Sequence, residues 1–277
     1  LDIGSGYGTT LLNSSNITKH VAGIEINRDA HLISQLLLDL YGLPYGNVIK
    51  EDALVNDNEI FKANKVFMHT PIGLRISNKW LESIIENKFL KSKYKNLVRA
   101  NDVSWLFALD VIENTKYEKF VMIVAGNTLF NTRDSEIRKN LIIDGKIESV
   151  ISLASNLLNG TAIPIYLIVF SNGNKNIKMV NGQELYSEKG FSRYLDAEHI
   201  QMIIKSLDED SEISRTVSIE ELSKEDYSLV PHVYETSEFP FDSSVKLGDV
   251  VNSISRGSMI TKDDLETINA DWLRLIC

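Results

Sequence analysis

The first residues of the chain contain an acid followed by three closely spaced glycines. The segment reads DIGSGYG, with Asp2 two positions before the first of Gly4, Gly6 and Gly8. Glycines between a strand and a helix let the backbone bend and let a ligand come close to it. The dinucleotide fingerprint requires a glycine at its sixth position, where this chain has Thr9. The pattern therefore predicts a different ligand, or a tight turn without one.

S-Adenosylmethionine suits these residue types better than a dinucleotide does. It has no phosphates; its carboxylate suits backbone N–H groups, and its ammonium requires an anion such as Asp2. Glu25 ends the predicted second strand, where a carboxylate can accept hydrogen bonds from both ribose hydroxyls, and Ile26 beside it can lie against the adenine. Asp52, followed by Ala53, ends the third strand and can accept a hydrogen bond from the adenine amino group. Glu25 alone could equally be an exposed acid at a strand end.

The elements that must position these residues follow from the hydrophobic pattern. Short apolar runs alternate with helical patterns, which predicts a parallel α/β sheet. Strands are predicted over residues 21–26, 48–49, 65–68, 120–125, 147–153 and 163–170, the last two pairing at the sheet edge. Helices are predicted over residues 9–18, 29–41 (with Leu32, Leu36 and Leu40 on one face), 104–112, 135–143 and 197–207. Because parallel strands have their carboxyl ends at the same edge, we expect the three acids and the glycine turn to meet in one crevice.

The net charge of −9 at pH 7 argues at first against a nucleic-acid partner. The charge is unevenly distributed, however: residues 1–199 have 22 basic and 22 acidic residues, whereas residues 200–277 have 7 and 16. The single cysteine, Cys277, excludes a disulfide scaffold, and the histidines lack the spacing of a metal site. No apolar run is long enough to span a membrane and no signal peptide opens the chain, so we expect a cytoplasmic protein without a bound metal.

The glycine turn with Asp2, Glu25 and Asp52 resembles the cofactor motifs of S-adenosylmethionine-dependent methyltransferases. Residues 67–77 lie where the modification subunits of type I restriction–modification systems, which are N6-adenine DNA methyltransferases, have a catalytic Asn-Pro-Pro-Phe-Gly. Further similar segments lie at residues 101–107, 126–130, 137–141, 161–163 and 226–229. The resemblance implies an α/β, Rossmann-like methyltransferase sheet with flanking helices, to which the charge distribution adds an acidic tail. It also implies S-adenosylmethionine as cofactor, double-stranded DNA as substrate, and specificity and restriction subunits as partners.

The candidate catalytic residues depart from the family pattern; they are His69, Thr70, Pro71 and Ile72. The resemblance implies that an Asn or Asp side chain and a proline carbonyl accept the protons of the target amine, while an aromatic ring stacks on the flipped base. A neutral His69 can accept through one ring nitrogen, and the Thr70 carbonyl can still accept. Ile72 cannot stack, which removes on the order of 1–3 kcal/mol. We therefore expect impaired methylation; a non-catalytic DNA-binding or assembly subunit, and methyl transfer to another acceptor, stay open.

A run of basic residues without an acid follows the predicted catalytic loop. It consists of Lys88, Lys91, Lys93, Lys95 and Arg99. At this position the side chains can contact DNA phosphates beside the target base. The alternative is a solvated linker, which is common for a basic run of this length.

Three segments are expected along the chain. Residues 1–195 form a methyltransferase catalytic domain, residues 196–238 a helical and acidic tail that closes it, and residues 239–277 the start of a target-recognition domain. Within the last segment, residues 246–257 resemble the opening of the recognition domains of restriction specificity subunits, although a generic strand and turn would look the same. Because the chain begins at Leu1 and the glycine turn follows at once, we expect a fragment whose catalytic domain is truncated at its N-terminus.

Overall fold

The computed structural model describes residues 1–43, 47–55, 63–98, 103–158, 161–190 and 192–235. Its strands are β1 (Asp2–Ile3), β2 (Gly23–Glu25), β3 (Val48–Lys50), β4 (Lys65–His69), β5 (Lys119–Ala125), β6 (Ile147–Leu153), β7 (Ile165–Phe170), β8 (Asn176–Gly182), β9 (Ser187–Lys189), β10 (Ser192–Tyr194) and β11 (Ser214–Ser218). Its helices are α1 (Thr9–Ser14), α2 (Arg28–Leu40), α3 (Asn78–Lys88), α4 (Ser104–Asn114), α5 (Asn127–Phe130), α6 (Ser135–Ile143), α7 (Ala197–Asp208) and α8 (Ile219–Lys224). Arg99 and the segment predicted as a recognition domain, residues 239–277, lie outside the described residues.

In the described part of the chain, one large sheet has the strand order β11-β8-β6-β7-β5-β4-β1-β2-β3. The strands from β3 to β5 in this order are parallel, and β7 is antiparallel to both of its neighbours, β5 and β6. The chain adds β2 and β3 on one side of β1 and then returns to add β4 and β5 on the other. The strand order therefore reverses between β1 and β4, and ligands of α/β sheets bind beside the carboxyl ends of the strands at such a reversal. The predicted α/β sheet with flanking helices is confirmed.

The centre of the fold contains α4, in which every residue from Ser104 to Val111 is buried. Its apolar side chains point in all directions, which is typical of a helix enclosed by the rest of a protein. In the same core, Phe120 of β5 stacks on Phe170 of β7 with ring centroids 4.9 Å apart. The helix and the buried central strand predicted for these segments are confirmed.

The strands predicted over 147–153 and 163–170 pair with each other in antiparallel order as β6 and β7. The prediction that they form the sheet edge is wrong, because β8 and β11 continue the sheet beyond β6. Strand β11 and helix α8 occupy the stretch predicted as an acidic tail, and they belong to the same compact unit as the sheet, residues 1–235. Strands β8 and β11 contain polar residues, so their sequences lack the apolar pattern of a buried strand. In β8, for example, the nearly buried side chain of Lys178 pairs with Asp210 at 2.5 Å.

Helix α2 has its smaller side chains on the inside. The leucines that share a face as predicted are exposed, and they are Leu32, Leu36 and Leu40. The buried face instead consists of Ala30, Ser34 and Leu38. Ser34 lies against the glycine turn, and a Cβ on Gly8 would be 3.0 Å from the Ser34 Cβ. Neither position therefore has room for a larger side chain. Among the helices of the described residues, none is both long and apolar enough to cross a membrane.

Candidate functional site

The glycine turn connects β1 to α1 beside the reversal of strand order. Gly4, Gly6 and Gly8 have φ angles of +74°, +54° and +81°, a region that residues with a side chain rarely adopt. The N–H groups of Gly4 and Ser5 both donate to the Ile24 carbonyl, at 2.9 and 3.0 Å, and hold the turn against β2. No heavy atom of the described residues lies within 4 Å of the place where a Gly6 side chain would begin. The backbone at Gly6 therefore faces open space that a ligand can enter.

Glu25 closes the turn from the neighbouring strand. Its buried carboxylate accepts hydrogen bonds from the N–H groups of Gly6 and Asn27, each at 2.7 Å. Each carboxylate oxygen thus has one donor from the protein backbone, and a carboxylate offers about four acceptor positions in all. Both oxygens can accept a further hydrogen bond, so the end of β2 presents an oriented carboxylate to the crevice.

Asp2 is the most deeply buried of the three predicted acids, with 3% of its surface exposed. Burial raises the pKa of its carboxyl group to about 7, against the ammonium group of Leu1 and a hydrogen bond with Thr10, which both lower it, and the nearby Glu25 adds a smaller rise. A carboxyl group in this range is partly protonated at neutral pH. A cation bound beside it would favour the ionised form.

Asp52 forms a compact turn directly after β3. Its Oδ1 accepts from the Leu54 N–H at 2.9 Å, and its backbone carbonyl accepts from the Val55 N–H at 3.0 Å. Its other oxygen, Oδ2, has no hydrogen-bond partner in the described part of the chain. The carbonyl of Ala53, in the middle of this turn, accepts a hydrogen bond from Lys88 Nζ at 2.8 Å. The turn is therefore fixed both by its own hydrogen bonds and by Lys88, and Asp52 Oδ2 is available to accept a hydrogen bond from a ligand.

The predicted catalytic loop begins at the end of β4, next to β1. The Thr70 N–H and the Thr70 hydroxyl both donate to the Ile123 carbonyl of β5, at 3.2 and 2.8 Å. A turn follows, with the Leu74 N–H donating to the Pro71 carbonyl at 3.4 Å and Gly73 at a φ of +74°. Partial burial lowers the pKa of His69 below its ordinary value, so its ring is neutral at pH 7. A neutral ring has one nitrogen that can accept a hydrogen bond.

A small recess of about 20 Å³ opens beside this loop. Its lining residues come from the loop, from the start of α4 and from the end of β5, and they are Thr70, Pro71, Ile72, Gly73, Leu74, Ser104, Ala125, Asn127 and Thr128. From the sequence, residues 126–130 are identified only by resemblance, and Asn127 is given no role. In the structure Asn127 is exposed, and its side chain makes no hydrogen bond in the described part of the chain. Its position directly after the central strand is the signal that could have identified it, because β4 and β5 are parallel and end at the same edge.

The basic run divides into residues with different surroundings. Lys88, which we predicted to contact DNA, is instead almost fully buried: its side chain is only 9% exposed, and its ammonium lies 3.0 Å from the Asp110 carboxylate. Lys91 is exposed, Lys95 is half-buried, and Lys93 is exposed but pairs with Asp144 at 2.6 Å. Three of the four predicted DNA-contact residues that the structure describes therefore remain accessible.

The predicted cofactor residues and the catalytic loop lie along one edge of the sheet. Strands β3, β2, β1 and β4 are parallel neighbours in that order, and each ends in one part of the site. Asp52 lies two residues after β3, Glu25 is the last residue of β2, and Asp2 is the first residue of the two-residue strand β1, which the glycine turn follows. The loop that begins at His69 follows the fourth. This arrangement can bind a ligand with several separate polar groups next to a second, smaller recess.

The model of the family of N-6 DNA methylases matches residues 9–239 of this chain. Among solved structures, the methyltransferase subunit of a type I restriction–modification system from Streptococcus thermophilus is 22% identical, with a TM-score of 0.74 over 83% of this chain and 53% of that one. The M protein of the type I restriction enzyme EcoKI is 14% identical, with a TM-score of 0.53 over 72% and 47% of the two chains. A protein from Listeria monocytogenes described as a class I S-adenosylmethionine-dependent methyltransferase is 14% identical, with a TM-score of 0.56 over 75% and 64%.

At these identities the likeness to the solved structures is one of fold. The chain spans about half the length of the two type I subunits.

Proposed function

The chain belongs to the N-6 DNA methylase family, and from this premise we infer that it is the catalytic part of an S-adenosylmethionine-dependent N6-adenine DNA methyltransferase of a restriction–modification system. One observation carries the proposal: three carboxylates and the glycine turn end adjacent parallel strands beside the recess of the catalytic loop. The family resemblance supports double-stranded DNA as the substrate and specificity and restriction subunits as partners.

The residues at the strand ends fit the chemistry of S-adenosylmethionine. In the glycine turn, the Tyr7 N–H has no acceptor among the described residues and would donate to the cofactor carboxylate. Asp2 would bind the ammonium, and Glu25 would accept from the two ribose hydroxyls. Asp52 Oδ2 would accept a hydrogen bond from the adenine amino group beside Ala53, and Ile26, which is 62% exposed, would cover one face of the adenine. When bound, the cofactor supplies an electrophilic methyl group on its sulfonium.

The catalytic loop would act on the amine of a flipped adenine. The amine lone pair is delocalised into the ring, and acceptors that draw its protons out of the ring plane make the nitrogen nucleophilic. The neutral ring of His69 and the Thr70 carbonyl are the two acceptors of the loop, and the two hydrogen bonds from Thr70 to Ile123 hold the second in place. Pro71 restricts the backbone at the entrance of the turn that follows.

The same recess accounts for the impaired transfer that we propose. In the described part of the chain, no aromatic side chain lines it, and Ile72 occupies the position at which the family stacks a ring on the base. This observation also favours a second candidate function, a non-catalytic DNA-binding or assembly subunit that keeps the methyltransferase fold. The two candidates differ in whether any methyl group reaches DNA.

The remaining assignments extend this proposal to the partners. We propose that the accessible members of the basic run, Lys91, Lys93 and Lys95, contact DNA phosphates together with Arg99. Residues 1–195 would then be the catalytic domain, closed by residues 196–238, and residues 239–277 would begin a target-recognition domain. The acidic part after residue 199 would face a partner subunit, because it would repel DNA.

The test is transfer of a labelled methyl group to duplex DNA by the full-length protein, followed by identification of the methylated nucleoside. We expect slow formation of N6-methyladenine, and a higher rate after His69→Asn combined with Ile72→Phe, which restores an amide acceptor and an aromatic ring. Calorimetry with S-adenosylmethionine measures cofactor binding separately. If the double variant binds cofactor and transfers no faster, the loop does not explain the impairment and the non-catalytic function is favoured.

A further inference from the structure

Lys88 connects three parts of the fold through one buried ammonium group. It is the last residue of α3, and its Nζ donates to both carboxylate oxygens of Asp110 at 3.0 Å and to the Ala53 carbonyl at 2.8 Å. Asp110 lies on the buried helix α4, its side chain is 1% exposed, and it also accepts from Asn114 Nδ2 at 2.8 Å. The three protons of the ammonium thus have three acceptors, one of them a backbone carbonyl of the turn after β3.

Stability alone does not explain a buried ion pair at this place. Removing two charges from water is costly, and replacing such a pair by apolar side chains of similar volume is often neutral or stabilising. What an apolar pair could not provide is a directional donor to the Ala53 carbonyl. That hydrogen bond fixes the peptide group directly after Asp52.

The Ala53 carbonyl belongs to the turn that presents Asp52. Within the turn, the N–H groups of Leu54 and Val55 donate to Asp52 itself, so these bonds fix its local shape. Lys88 supplies a contact from outside, from helix α3, whose N-cap Ser77 lies three residues after Leu74 of the catalytic-loop turn. One helix therefore links the loop to the turn at the adenine end of the crevice.

We propose that Lys88 is a positioning residue that fixes the Asp52 turn for the adenine of the cofactor. The inference rests on the proposed function in one respect, the identity of the ligand. Without the ammonium, the turn keeps its internal hydrogen bonds but loses its attachment to α3 and α4. The carboxylate of Asp52 then samples orientations in which Oδ2 no longer meets the adenine amino group.

The test compares Lys88→Met combined with Asp110→Leu against the wild-type full-length protein. The double substitution removes both charges of the pair together, so it is expected to fold with a melting temperature close to that of the wild type. Calorimetry with S-adenosylhomocysteine should show about tenfold weaker binding, which corresponds to about 1.4 kcal/mol. With S-inosylhomocysteine, which lacks the amino group, the same substitution should have little effect.

Lys178→Met is the matched control. It removes another nearly buried lysine that pairs with an aspartate, at β8 near the opposite end of the sheet, and it should leave the affinity for S-adenosylhomocysteine unchanged. Amide hydrogen exchange of Leu54 and Val55 gives a second readout that needs no ligand, and it should become about tenfold faster in the double variant only.

A double variant that binds S-adenosylhomocysteine as tightly as the wild type, with unchanged exchange, would show that the pair is only structural. A wild-type protein that does not bind S-adenosylhomocysteine would refute the proposed function instead. In that case, unchanged exchange of Leu54 and Val55 would also refute the positioning of the turn by Lys88.

Discussion

Replacing Asp2 by Asn should remove a pH dependence that this single carboxyl group imposes on the protein. Burial raises its pKa from 3.8 to about 7, a shift of about three pH units. At about 1.4 kcal/mol per unit, the surroundings of Asp2 favour its protonated form over the ionised one by about 4 kcal/mol. The group is almost fully buried, so solvent screening reduces this figure little.

The sign of the effect on stability follows from where the proton is held. Between pH 4 and pH 7 the folded protein keeps the proton on Asp2 and the unfolded chain has released it. The contribution of this group to the free energy of unfolding is therefore complete below pH 4 and is lost as the pH rises through 7. Urea unfolding should show that Asp2→Asn becomes more stable than the wild type as the pH rises from 4.5 to 7.5, the gap growing by about 3 kcal/mol.

Ligand affinity should change in the opposite direction. If Asp2 must be ionised to bind the ammonium of S-adenosylhomocysteine, the affinity of the wild type falls roughly tenfold for each pH unit below 7 and is constant above it. Calorimetry between pH 5 and pH 8 should show this slope for the wild type, and a flat, weak profile for Asp2→Asn. Parallel stability and affinity profiles in the two proteins would refute both the raised pKa and the role of Asp2.

Two further substitutions test other parts of the site. Gly8→Ala adds a side chain at a φ of +81° and places its Cβ 3.0 Å from the Ser34 Cβ. We therefore expect thermal unfolding to show a free energy of unfolding lower by about 1–3 kcal/mol, and calorimetry to show weaker binding of S-adenosylhomocysteine. An unchanged melting temperature would contradict the close packing of the turn on α2. The accessible lysines of the basic run are Lys91, Lys93 and Lys95. Changing all three to Gln should weaken DNA binding and reduce the slope of log affinity against log salt concentration by about three. An unchanged slope would favour the solvated linker.

The site could be predicted where one residue type has few alternatives. Glycines at positions 4, 6 and 8 indicated a turn, and the structure shows all three in the left-handed region. Glu25 and Asp52 could be placed at strand ends because an apolar run precedes each of them. Parallel strands then bring their carboxyl ends to one edge, so local patterns were sufficient to predict a shared crevice.

Other features depend on partners far away in the sequence. In the sequence, Lys88 cannot be distinguished from its basic neighbours. It is buried because it pairs with Asp110 on another helix, and that pairing is visible only in the structure. Strands β8 and β11 contain polar residues whose partners are equally distant, as with Lys178 and Asp210. The exposed leucines of α2 show the same limit, because the pattern shows that they share a face and does not show which face is covered.

The most direct test of the central claim is a crystal structure of the full-length protein with S-adenosylhomocysteine. The account predicts that the ammonium lies at Asp2, the ribose hydroxyls at Glu25 and the adenine amino group at Asp52, with the sulfur directed towards the recess beside His69. A ligand bound elsewhere on the protein, or a ligand in the crevice that does not contact these three carboxylates, would contradict it.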